Sequence, residues 1–543
     1  MARPLARQLY LPYTAYAAVA LGIVLPWLRP GYILTLDMVF TPHLRMPTTV
    51  NNNYLFGVLL HVLNSVVPSQ IIQKLLLAAT FFLAGASMHY LARGLRASII
   101  GCYAAGVFYA VNPFTYDRLM AGQYLLLLGY ALVPLFVRQL MRFLETPRQR
   151  QVVWVGAIAA GISIVSLHVA VMLAICTGVA ACIWLVRSDA TEARRLLGGL
   201  TAAAGIFVVL SSYWLLPLAL GKGSTATQLA QFSAQDTTAF ATIGSNPVEK
   251  VANLIRLQGF WAEDRDQYRN PQSVVPAWGL IALVILIVVG LGWVQLWRIG
   301  RRHVVFLCSV LMVLGVALAA GLGSGSLAHI GFRESQKFAL FVAVGYGIGL
   351  GFGVPVVIHG LARRYNRGAV LVATSVSLCL PLAFTPTLLW GAWAQLTPRQ
   401  YPASWTQANQ LLDQQADQRY TIFLPWHLYM WYGWSGRIIA APAPAFFDTP
   451  VIVSDNPEFN GAGRSMTTPI KQQLDHILAA APKRQDLGLE LAQLHVRYII
   501  LAREDDYQSY HYLDMQPDLA RVFTSDTLDV YRVTTAGGAY AAR

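Results

Sequence analysis

Three short segments hold the residues best suited to chemistry. Asp37 sits in Leu34-Thr-Leu-Asp-Met-Val-Phe40. Asp117 and Arg118 sit in Asn112-Pro-Phe-Thr-Tyr-Asp-Arg-Leu-Met-Ala-Gly-Gln123. Arg333, Glu334 and Lys337 sit in Phe332-Arg-Glu-Ser-Gln-Lys-Phe338. Each segment adjoins the end of a long apolar run, and His168 marks a turn between two more. Charges beside lipid are costly unless they are paired or face water, so acids and bases gathered at one membrane face predict an outward-facing polar site. A carboxylate there can take a proton from an acceptor hydroxyl. Cations can stabilise a departing phosphate. Together these functions suit glycosyl transfer from a lipid-linked sugar, since an outer site has no ready supply of nucleotide sugars. Each residue also has a plainer reading: Asp37 as a loop acid, Asp117 and Arg118 as an ion pair and cap, Arg333 and Lys337 as interface anchors whose stems lie along lipid, and His168 as a polar group at a helix turn.

The elements that must position these residues are membrane spans. Only 12% of the 543 residues are charged and 56% are hydrophobic, where soluble domains run near 25% charged. Apolar runs of spanning length predict about eleven transmembrane helices, at 8–28, 70–92, 98–114, 123–143, 152–167, 169–186, 196–219, 276–297, 304–323, 338–360 and 368–391. The stretch 152–186 counts as two crossings with a tight turn near His168, because one helix of that length overshoots a bilayer core of about 30 Å. The net charge of +14 lies in six arginine clusters between spans, at 3–7, 93–96, 138–150, 187–195, 298–302 and 363–367. Two crossings put all six on one side, as the positive-inside rule requires. The expected arrangement is a protein of the plasma (inner) membrane, with its N-terminus cytoplasmic and its C-terminal part extracytoplasmic. The excess charge is thereby accounted for, and nucleic acid is excluded as a partner. The five cysteines lie in apolar stretches and carry no metal spacing.

Two parts follow: a transmembrane part, 1–391, with outer loops 29–69 and 220–275, and an extracytoplasmic α/β domain, 392–543. In the first loop, Phe56 to Val67 is apolar but too short to span, so it is expected along the membrane surface. In the second, Glu263-Asp-Arg-Asp266 holds a D-x-D pattern, with no strand before it to suggest a nucleotide-sugar site. The C-terminal domain reads as helices at 405–415, 471–481 and 486–494 and strands at 420–425, 497–502 and 528–533. Its run Pro425 to Trp434 is dense in aromatics. That suits a core or an interfacial anchor better than a sugar platform.

A long first outer loop with an acid soon after the first span resembles the GT-C glycosyltransferase superfamily. The Asn-Pro-Phe-Thr-Tyr-Asp-Arg and Arg-Glu-Ser-Gln-Lys-Phe segments and the outer α/β domain look most like a bacterial and archaeal branch. That branch is similar to the membrane part of the mycobacterial arabinofuranosyltransferases. The resemblance implies a polyprenyl-phosphate sugar as donor, a glycan or lipid-linked acceptor, and Asp37 as the catalytic base of an inverting transfer. It leaves a divalent metal (Mg or Mn) at Asp37 open. Two other functions fit the same layout: a non-catalytic scaffold for envelope polysaccharide assembly, and a lipid or polysaccharide transporter. Against the transporter, no span interior carries a carboxylate for a proton relay and no inverted repeat is visible.

Overall fold

The structure, a computed structural model, describes residues 3–222, 240–263, 267–321, 334–413, 419–456 and 468–534; for 3–12 it gives the helical path alone. Two compact units emerge. One comprises 1–28, 46–62 and 74–395, the other 29–45, 63–73 and 396–543. The first loop is thus divided: its two ends pack with the C-terminal residues, and only 46–62 stays with the spans.

In the membrane part, each of the eleven expected stretches contains a helix. Among the described residues eight helices are long and apolar enough to cross a membrane: Ser69–Gly94, Tyr124–Glu145, Leu167–Leu185, Ala190–Ala219, Trp278–Arg298, Arg302–Ala319, Ser335–Ala362 and Arg367–Phe384. The apolar helices Tyr13–Leu28 and Gln149–Val165 are shorter, and Ile99–Ala110 has 12 residues. The chain is an integral membrane protein. The long stretch around His168 breaks at Ser166, whose extended backbone ends one helix while its hydroxyl accepts from Val169 N to cap the next. Asn52 and Asn53 donate to the freed carbonyls of Ser163, Ile164 and Val165, which satisfies a helix end that would otherwise be left open. Tyr54–Asn64 is an 11-residue helix with no buried residue, in keeping with its expected surface position.

The glycine-rich helix Leu340–Ala362 lies at the centre of the bundle, buried along most of its length. Any β-carbon at Gly353 would strike the Val288 carbonyl, one at Gly292 the Gly349 carbonyl, and one at Gly101 the Gly351 carbonyl. The missing side chains let three backbones approach closely, which is a packing role.

In the second unit, a five-stranded sheet runs in the order β4-β1-β5-β7-β6 (β1 Tyr420–Leu424, β4 Val451–Ile452, β5 Val496–Ala502, β6 Leu519–Thr524, β7 Leu528–Val533). β1 pairs in parallel with β4 and β5, while β7 is antiparallel to β5 and β6. The apolar run of β5 is buried as a central strand requires. Leu474 and Leu478 of helix Pro469–Ala480 and Leu491 of Leu487–Gln493 pack on Ile422, Leu424, Ile499 and Leu501. A separate hairpin, β2 (Tyr429–Tyr432) and β3 (Arg437–Ala440), arises from the aromatic run. Met430 and Tyr432 are buried, and Tyr401, Trp405, Trp434 and Phe446 crowd around them. Of that run, Pro425, Trp426, Met430 and Tyr432 are buried, Trp431 is exposed, and Tyr429 and Trp434 are half-buried.

Candidate active site

Asn112 closes the Ile99–Ala110 helix and opens the next, Pro113–Met120. Its side chain accepts from Thr115 N while Thr115 bonds back to Asn112 N, and Pro113 takes the first helical position. The Asn112 amide also donates to the Phe108 and Tyr109 carbonyls and to the Tyr130 hydroxyl. This corner lies at the ends of the spans opposite the arginine clusters, and it points Asp117 and Arg118 into the protein.

Arg118 is fully buried. Its Nη1 donates to Glu334 Oε2 at 2.7 Å and to Gln123 Oε1 at 2.9 Å, and its Nη2 donates to Gln336. The guanidinium lies 4.4 Å from the Phe260 ring centroid and 5.2 Å from that of Phe114. Glu334 also accepts from Gln123 Nε2, and Lys337 Nζ stands 3.5 Å from it. A buried charge survives only when so compensated. The Asn112–Gln123 and Glu334–Lys337 segments, far apart in sequence, are therefore locked together. Arg333 lies outside the described residues.

Asp117 turns the other way, toward the second loop. It is buried, accepts from the Tyr268 hydroxyl at 3.3 Å, and bonds to Glu263. Glu263 accepts from Gly259 N, Phe260 N and Asn270 Nδ2. Burial, reinforced by the neighbouring carboxylate, pushes the Asp117 carboxyl well above its ordinary range. Glu263 is pushed up as well, chiefly by burial. Tyr116 donates to the Arg269 carbonyl at 2.7 Å and accepts from Gln395. Glu263, Tyr268 and Gln123 were not among the expected site residues. Glu263 stood in the D-x-D segment, whose residues 264–266 lie outside the described residues. His168 is half-buried in the first turn of Leu167–Leu185.

Asp37 belongs to the second unit and has the opposite character: it is exposed while Leu34, Thr35, Leu36 and Met38 around it are buried. Thr35 and Met38 exchange backbone hydrogen bonds across a tight turn. Leu36 bonds to Ile438 and Ala440, adding the turn to β3 in parallel with Ile439. Tyr32 pairs with Arg399, and Gln73 brackets both backbone groups of Ile33. Leu36 is held at φ +36°, a strained position for a bulky residue that persists only when its surroundings over-determine it. The Tyr429 hydroxyl of β2 donates to Asp37 Oδ1. Asp37 is thus a solvent-facing carboxylate on a rigid mount. Among the described residues no group of three or more His, Cys, Asp or Glu is arranged to hold a metal ion, and no step is assigned to one.

No family model matches the sequence, and no curated protein matches it. Solved structures do. The arabinofuranosyltransferase AftD from Mycobacteria superposes on 97% of this chain with TM-score 0.63 at 15% identity. A mutant form of AftD superposes on 97% with TM-score 0.65 at 16% identity. The chain has the GT-C fold. It spans 40% of the AftD chain's length. ArnT from Cupriavidus metallidurans, solved with undecaprenyl phosphate, aligns over 97% of the chain at TM-score 0.47 and 12% identity. The fold accounts for the layout predicted from the arginine clusters and spans: a GT-C bundle with a sheet domain after the last span.

Proposed function

We propose that this chain is a membrane glycosyltransferase. It moves a sugar from a polyprenyl-phosphate carrier to a glycan or lipid-linked acceptor on the side of the membrane opposite the arginine clusters. What supports this reading is the likeness of 97% of the chain to AftD, joined to the one exposed carboxylate so firmly mounted after the first span. Asp37 takes the acceptor hydroxyl's proton as the oxygen attacks the anomeric carbon. The lipid phosphate departs from the opposite face with the electrons of the glycosidic C–O bond, inverting the centre. One carboxylate suffices for this single displacement, whereas a double displacement needs a second carboxyl about 5 Å away by analogy with hydrolases. Lys337, the looser of the two cations on Glu334 at 3.5 Å against 2.7 Å for Arg118, can turn to the departing phosphate while Glu334 keeps its tighter partner. Arg333 is assigned the same task.

The deciding experiment is a transfer assay with a synthetic polyprenyl-phosphate sugar and membrane-inserted protein. Transfer by the parent and its loss in Asp37→Asn is the expected result. A parent that binds the lipid but transfers nothing favours the scaffold instead.

A further inference from the structure

The arginine-rich ends of the spans hold a cavity that plays no part in the proposed transfer. It has a volume of about 430 Å³ and lies among helices Ser69–Gly94, Tyr124–Glu145 and Gln149–Val165. Arg142 and Arg150 both line it. The Arg142 guanidinium lies 5.4 Å from the Tyr90 ring centroid, a position that fixes the cation and leaves its N–H edges available. Gln139 Nε2 donates to the Tyr90 hydroxyl. Glu145, the nearest acid in sequence, pairs with Arg301 at 3.3 Å. Among the described residues, neither Arg142 nor Arg150 has an ion-pair partner. Gln151 also lines the cavity, and its Oε1 is buried without a hydrogen-bond partner. The remaining wall is apolar: Leu135, Ile158 and Trp154, the last of them 47% exposed on the bundle surface.

We propose that this cavity binds the head group of an anionic, hydroxyl-bearing phospholipid of the surrounding bilayer. Basic pockets between helices near a membrane surface are suited to phosphate head groups. Two guanidinium groups match a phosphodiester. An amine head group brings a third cation beside them. Gln151 Oε1 needs a donor, and a glycerol-type hydroxyl supplies one, because a buried acceptor without a partner is costly. A cavity of this volume holds a head group but not a whole lipid. The apolar wall along Leu135, Trp154 and Ile158 carries the first part of an acyl chain, which a soluble phosphate does not require.

The test uses the full chain in detergent, with native mass spectrometry and thermal unfolding against phosphatidylglycerol, phosphatidylmethanol, phosphatidylethanolamine and inorganic phosphate. On the parent chain, phosphatidylglycerol should bind most tightly and raise the unfolding midpoint. Phosphatidylmethanol, a diester without head-group hydroxyls, should follow, and phosphatidylethanolamine should trail. Losing each arginine should weaken phosphatidylglycerol about fivefold, so Arg142→Ala with Arg150→Ala costs about 25-fold, while Arg148→Ala beside the cavity changes little. Gln151→Leu should bring phosphatidylglycerol down to phosphatidylmethanol. Equal binding of phosphatidylethanolamine, or parental affinity in the double variant, overturns the proposal. Inorganic phosphate that stabilises as well as phosphatidylglycerol also overturns it and points to a soluble anion. Because the four ligands are ranked on the parent chain, the result stands even if a variant folds poorly.

Discussion

Two regions carry carboxylates of opposite kinds. Around Arg118, three segments of the membrane unit gather acids and cations: Asp117 beside Glu263, and Glu334 between Arg118 and Lys337. Around Asp37, the backbone is pinned on both sides and the carboxylate itself is left to solvent. Both are rigid, but rigidity serves different ends. The Asp117 carboxyl is buried beside Glu263 and pushed toward its neutral form, out of an incoming substrate's reach. The Asp37 side chain is exposed on a fixed turn, where a substrate hydroxyl can approach it. The comparison separates the frame from the reagent, and the proposed function follows it in taking Asp37 rather than Asp117 as the base.

The sharpest way to break that division is to exchange each acid for its amide. Asp37→Asn should lower turnover roughly 10²–10⁴-fold, the loss typical of a general base, with the unfolding midpoint unchanged because the side chain is exposed. If Asp117→Asn produces that kinetic loss instead, the assignment is reversed. Glu334→Gln should act on the frame. It leaves the Arg118 charge buried without a counterion and should cost roughly 3–5 kcal/mol of stability, read as a lower unfolding midpoint. A Glu334→Gln protein as stable as the parent means that Arg118 reaches another anion.

A milder test uses pH. Because its folded-state carboxyl is raised above the ordinary value, Asp117 favours the folded state while it is protonated. That contribution is complete below the ordinary aspartate pKa and is lost as pH climbs through the raised value. Asp117→Asn is neutral at every pH and keeps an N–H donor for Glu263. The variant should therefore gain stability relative to the parent as pH rises, in unfolding scans taken from acid to neutral pH. A difference that stays flat across that range, or runs the other way, would show that Asp117 is ionised in the folded protein.

The frame was more legible in the sequence than the reagent's setting. Hydropathy and arginine position marked the eight helices long and apolar enough to cross a membrane, because lipid forces a long apolar run and a charge asymmetry on any span. Asn112-Pro113 carries a helix-start signal in its local chemistry, but the expected span ran through it to 114 and no separate helix was expected at Pro113–Met120. The strands at 420, 497 and 528 showed as short β-branched and aromatic runs. Pairings across long separations were not legible. Nothing local says that Arg118 meets Glu334, or that Glu263 leans on Asp117. The same holds for the turn at Asp37: its bonds to Ile438 and Ala440 join residues some 400 positions apart, and Tyr429 was hidden in an aromatic run read as core or interfacial anchor. The first loop divides between units for the same reason, because β3 recruits residues 35–38.

The smallest expected effect tests how the reagent is held. The Tyr429 hydroxyl donates to Asp37 Oδ1. Tyr429→Phe keeps the ring and its place in β2 and removes only this donor. An accepted hydrogen bond both orients a carboxylate and draws off some of its basicity, so the two consequences of losing it oppose each other. The net change in turnover should be a decrease of less than about tenfold, the scale of one partly exposed hydrogen bond, with KM for the donor lipid unmoved. A loss as deep as that of Asp37→Asn would place Tyr429 in the proton transfer itself. No loss at all would mean that the turn through Leu36 and Met38 orients Asp37 unaided, and the double variant Asp37→Asn with Tyr429→Phe distinguishes the two. If Tyr429 acts only through Asp37, the second substitution costs nothing further once the carboxylate is gone.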